Sequence, residues 1–175
     1  MRAHLLSVAV LTLAAAMPAS ALTTIFFTGL SSAGEPVPTS TATGAAIVSF
    51  DDVTSTVTVQ LSFQGLANSS PFAHIHCCTG TPLTGNAPVS LNFTPLPNVT
   101  TGTYSNVFAL TPAAFTTLFT GAAAGRAYVN VHTPGTYAGG EIRGFLPAVP
   151  EPGTYALMIA GLGVLGWAAS RRRAT

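Results

Sequence analysis

Val57-Thr58-Val59-Gln60-Leu61-Ser62-Phe63 alternates apolar and polar side chains over seven positions. Period 2 is the signature of a strand with one face in a core and one in water, because successive Cβ atoms point to opposite sides. Thr43 to Phe50 precedes it across Asp51-Asp52, a pair suited to a turn, so the two segments predict a hairpin. Further strands are expected over Thr24–Leu30, Phe72–Cys77, Gly102–Leu110, Arg126–His132 and Gly140–Leu146. Thr79–Pro88 and Thr133–Gly139 are Pro- and Gly-rich breaks between them. Pro112 to Thr120, with proline at its start, is the one helical segment expected. Seven or so short strands so punctuated predict an all-β fold, an antiparallel sandwich or barrel.

The ends of the chain read differently. Met1 to His4 carries one arginine, Leu5 to Ala16 is apolar, and Ala19-Ser20-Ala21 is a small-x-small cleavage site. That order predicts a signal peptide over residues 1–21 and an exported product. At the other end Pro150-Glu151-Pro152-Gly153 leads into an uncharged apolar run and then Arg171-Arg172-Arg173. A helix over Thr154–Ser170 would rise about 25 Å at 1.5 Å per residue, enough to cross a hydrocarbon core. The arginines would then form a cytoplasmic anchor, leaving the part before Pro150 outside. An ordinary membrane anchor is the plainer alternative.

Residues 22–149 make one domain. It holds Arg126 and Arg143 against Glu35, Asp51, Asp52 and Glu141, so two minus four gives a net charge of −2, and the chain has no lysine. Nucleic-acid binding, which needs clustered cations, is excluded as a role. Hydroxyl and amide side chains must cover the surface, as suits a secreted β-protein. Asn68-Ser69-Ser70, Asn92-Phe93-Thr94 and Asn98-Val99-Thr100 are read as surface loops.

Pro150-Glu151-Pro152, one apolar helix and a terminal arginine cluster, in that order, resemble the PEP-CTERM sorting signal of bacterial envelope proteins. The resemblance implies an exosortase-type enzyme as partner, passage through the membrane, and a link to exopolysaccharide or biofilm. A second resemblance rests on three blocks: Phe72-Ala73-His74-Ile75-His76, then Ala127 to Thr133, then Gly139-Gly140-Glu141-Ile142-Arg143-Gly144. These are similar to the CHRD domain, over roughly Thr43 to Leu146. The family implies an immunoglobulin-like β-barrel with a faint likeness to copper/zinc superoxide dismutases, and no settled activity. Where many members continue from His-x-His with Gly-Pro, this chain has Cys77-Cys78.

The chemistry these blocks offer is metal binding. His74 and His76 project from one face of a strand, about 6.8 Å apart along the backbone. His132 shares a face with Asn130 and Tyr128. If the two strands are neighbours, His74, His76 and His132 form a cluster suited to zinc or copper. The alternative is that the imidazoles are satisfied by carbonyls or by one another, and Phe72 on the same face suggests partial core.

For Cys77 and Cys78 the expectation is a vicinal disulfide; a thiolate completing a His/Cys site and an intermolecular bridge are the alternatives. A trans peptide between them would place the Cα atoms about 3.8 Å apart, below the usual disulfide range. Glu141 and Arg143, two apart on a strand, are expected to form an ion pair. No nucleophile elbow, phosphate loop or paired catalytic carboxylates are present, so no motif supports enzymatic function. The sequence reading is therefore an exported structural or adhesive protein of the cell envelope or extracellular matrix, or alternatively a metal-binding domain with dismutase-like redox chemistry.

Overall fold

The computed structural model describes residues 23–69, 71–147 and 157–165. Eight strands and one helix follow in the order β1 (Thr23–Leu30), β2 (Thr43–Asp51), β3 (Thr56–Gln64), β4 (Phe72–Cys77), β5 (Val89–Phe93), β6 (Gly102–Ala109), α1 (Pro112–Ala123), β7 (Ala127–His132) and β8 (Ile142–Phe145). They form two four-stranded sheets, β1-β2-β3-β6 and β5-β4-β7-β8, in which every pairing is antiparallel. This is an all-β sandwich.

The alternating residues of the opening hairpin decide the first sheet. Val57, Val59, Leu61 and Phe63 of β3 line up beside Phe50, Val48 and Ala46 of β2 and point inward, all buried. Ala73 and Ile75 of β4, Leu91 and Phe93 of β5, Val129 and Val131 of β7 and Ile142 of β8 meet them from the second sheet. Asp51 ends β2 and its Oδ1 accepts from the Val53 and Thr54 N–H groups, a side chain standing in for backbone in the turn. One flank of the sandwich is closed by a reciprocal backbone pair, Ser31 N–H to Arg143 O and Arg143 N–H to Ser31 O, which joins the end of β1 to β8.

The helix covers one end of the core. Thr111 caps it, its hydroxyl accepting from Ala114 N–H, and Pro112 opens it where a missing donor costs nothing. Phe115 and Phe119 meet Phe50 with ring centroids 5.7 and 5.5 Å apart, and Phe26 stands edge-on to Phe50 at 5.3 Å. Gly125, at φ 66°, turns the chain out of the helix towards β7.

Several expectations are corrected. Asn92 and Phe93 do not lie in a surface loop: they belong to β5, and Phe93 is buried. Val89 to Phe93 does alternate, but prolines at 88 and 95 hid so short a strand. The helix runs to Ala123 rather than Thr120 because Gly121 and Ala122 continue its buried face. The signal peptide assigned to residues 1–21, the Pro150, Glu151 and Pro152 motif and the arginines at 171–173 lie outside the described residues. Of the apolar run over 154–170, residues 157–165 are described and are helical and exposed. Among the described residues no helix is long and apolar enough to cross a membrane.

Candidate metal centre

β4 and β7 are neighbours, in the register Phe72↔His132, His74↔Asn130 and His76↔Tyr128. With Ala73, Ile75, Val129 and Val131 in the core, the pleat sends Phe72, His74, His76, Tyr128, Asn130 and His132 to the opposite face of the second sheet. That face is outward by pleat yet covered by loops: every residue of β7 is buried. The loop after β1 reaches it through Glu35, the loop after β4 through Asn86 and Ala87, and the loop after β7 through Ala138.

His74, His76 and His132 are brought together, with one ligand nitrogen from each lying within 4.8 Å of the others. His74 Nδ1 and His132 Nε2 are 3.3 Å apart. That separation is about the edge of a tetrahedron with metal–nitrogen bonds of about 2.0–2.1 Å. Outer contacts orient the rings. His132 Nδ1–H donates to Ala138 O at 3.1 Å and His76 Nδ1–H donates to Ala87 O at 2.8 Å, so Nε2 is the acceptor in both rings: that of His132 takes the hydrogen bond from His74 Nδ1–H, and that of His76 has no partner. His132 stacks flat on Phe72 and His76 flat on Tyr128, each with centroids 4.8 Å apart. Phe72, which suggested partial core, is thus a wall holding one imidazole in place.

Burial keeps the cluster neutral. It pushes the His132 imidazolium down to about 4, with the charges on His74 and His76 adding to the effect. His76 and His74 are lowered for the same first reason. Neutral imidazole is the form that binds a metal. The donor set fits zinc or copper(II), both served by imidazole nitrogen. Carbonyls and the His74–His132 hydrogen bond satisfy much of the cluster, but His76 Nε2 is buried and has no hydrogen-bond partner, so they do not account for all of it.

The other candidates fall elsewhere. Cys77 and Cys78 are joined through their sulfurs across a cis peptide, with Cα atoms 3.0 Å apart. Cys77 lies on the core face of β4, and both sulfurs pack against Gly121 of α1, so they stand on the far side of the sheet from the imidazoles. Glu141 and Arg143 do not pair. Glu141 lies just before β8, wholly buried, and takes hydrogen bonds from Ser40 Oγ, Thr133 Oγ1 and Ala67 N–H. Arg143 instead grips Glu35 with both arms, at 2.7 and 2.8 Å, and lies over the Tyr128 ring at 4.8 Å. The charge-assisted bonds from Glu35 hold its guanidinium above the ordinary value. Sequence reasoning missed Glu35: it stands 108 positions from Arg143, in a Pro-rich loop with no periodicity to read.

No curated protein and no solved structure matches the chain. Family models match two parts of it. Residues 148–173 match the PEP-CTERM protein-sorting motif, which marks an exported protein directed to an exosortase and associated with the cell envelope. Residues 26–146 match the CHRD domain, taking in β1, which the resemblance over Thr43–Leu146 had left out. With that match spanning the whole two-sheet body and the histidine strands at its centre, the chain belongs to the CHRD domain family.

Proposed function

We propose that this exported CHRD protein binds a zinc or copper ion through His74, His76 and His132. The observation that carries the reading is His76 Nε2, a buried lone pair without a partner inside a three-imidazole cluster. Two of the imidazoles are held by backbone carbonyls, and His74 is partly exposed, leaving a side open to solvent. A bound zinc would supply Lewis-acid chemistry or stability, and copper would add one-electron redox chemistry. The dismutase-like barrel implied by the family belongs to this reading, supported by the flank closure at Ser31 and Arg143.

The test is metal content. The full chain recovered after export should hold about one zinc or copper ion, as a three-histidine site does. His76→Ala and His132→Ala should hold none. A wild-type chain without stoichiometric zinc or copper, and with no rise in melting temperature when either is added, sinks the proposal.

A second reading, a structural or adhesive role in exopolysaccharide or biofilm, rests on the first sheet. Its outer face carries Thr58, Gln60, Ser62, Thr103 and Ser105 beside Phe27, which is 55% exposed. Labelled protein that fails to co-sediment with matrix polysaccharide counts against that role. The signal peptide over residues 1–21 and the membrane-crossing helix over 154–170, with Arg171, Arg172 and Arg173 inside, belong to the same proposal of placement. A reporter fused after Val149 that is active only in the cytosol contradicts it.

A further inference from the structure

Asn130 stands opposite His74 in the sheet and carries the other orphaned buried atom among the described residues. It is 1% exposed, and its Oδ1 has no hydrogen-bond partner. An unmatched buried amide oxygen costs on the order of 1–3 kcal/mol, so it calls for an occupant. Asn130 is the Cα partner of His74 in β4 and of Arg143 in β8, and it precedes His132 by two residues on β7. All four side chains rise from the same face. His76 and His132 stand diagonally on either side of the His74–Asn130 pair, and their ring centroids lie 5.8 Å apart.

The direction of the carboxamide is set from the β8 side. Gly140 has φ 136°, and a Cβ there would overlap the Glu35 carboxylate and stand 2.8 Å from Asn130 Nδ2. The NH2 end of Asn130 therefore faces Glu35, itself held by Arg143. Turning the amide over would set Oδ1 against a carboxylate, two acceptors with no proton between them. Electrostatics thus keep the nitrogen toward β8 and leave the oxygen on the side of β4, where His74 is the strand partner of Asn130.

The geometry points to Asn130 Oδ1 as a fourth donor to the ion, making a set of three imidazole nitrogens and one amide oxygen. This rests on the metal-binding reading above and extends it to the class of cation. An amide oxygen is a hard donor beside borderline imidazoles, which favours divalent zinc or copper(II) over copper(I), whose preferred partners are sulfur ligands. The disulfide on the far side of the sheet offers no thiolate to reverse that preference.

The experiment follows the side-chain NH2 signals of Asn130, assigned through its own backbone, in nitrogen-15-labelled, metal-free full chain titrated with zinc. They should shift and saturate at about one zinc per chain, the stoichiometry of a single site. Asn130→Leu, similar in shape but without the oxygen, should bind zinc about 10- to 100-fold more weakly. Zinc bound at full stoichiometry with the Asn130 signals unmoved overturns the fourth donor and leaves the three-histidine site standing. A wild-type chain that takes up neither zinc nor copper(II) overturns both. Should Asn130→Leu fail to fold, the wild-type titration decides alone.

Discussion

The outward faces of the two sheets have the same pleat and opposite fates. On the first sheet, Gln60 and Ser62 alternate with buried apolar residues and are exposed. On the second, Tyr128, Asn130 and His132 alternate with valines in the same way, yet all are buried. Three loops make the difference, pinned by Glu35 to Arg143, by Ala87 to His76 and Tyr128, and by Ala138 to His132. A polar residue in water satisfies itself with solvent; under a loop it must find a partner or bind something. The covered face is therefore where charge, imidazole and unpaired acceptors accumulate.

Breaking the cover should have the largest effect. Glu35→Ala leaves the Arg143 guanidinium buried and unpaired, and should cost about 3–5 kcal/mol in denaturant unfolding. A loss below about 1 kcal/mol, the range of exposed pairs, would mean that the loop is not held by this contact. Gly121→Ala tests the core beneath the same sheet. In an open helix the change would stabilise by about 1 kcal/mol. Here the new Cβ overlaps the Cys77 and Cys78 sulfurs, and overpacking of about 1–3 kcal/mol should turn the sign to a net loss.

Acid sharpens the comparison. The three imidazoles are folded with pKa values below the ordinary 6.5, through burial first, and near Arg143 as well for His76 and His132. The unfolded chain then binds more protons than the folded one between about pH 6.5 and pH 4. Stability of the metal-free protein should hold above that window and decline as pH falls through it. A melting temperature that is flat from pH 7.5 to pH 4.5 would contradict the burial of neutral imidazoles. The smallest effect is expected on the bare face. Gln60→Lys should change stability by no more than about 0.5 kcal/mol, as for other exposed sites. A larger loss would show that this face is covered in solution.

Much of this was legible in the chain. The hairpin of β2 and β3 followed from alternation alone, and the pairing of β4 with β7 turned the His74, His76 and His132 spacing into a cluster. Strand β5 was legible in principle but obscured by its flanking prolines. Glu35 left no local trace, since its partner is set by a loop crossing a sheet rather than by spacing along a strand. The Glu141–Arg143 expectation failed for a related reason: each found partners in other loops.

By itself, the sequence determined strand period, the inward apolar set and the residues that share a face, because those depend on backbone geometry repeated every two residues. The match of its last residues to a sorting motif likewise needed no fold. Only the tertiary structure decided which outward face stays in water. That choice rests on long-range loop contacts, and it converts ordinary polar side chains into neutral imidazoles, a gripped arginine and two acceptors without donors.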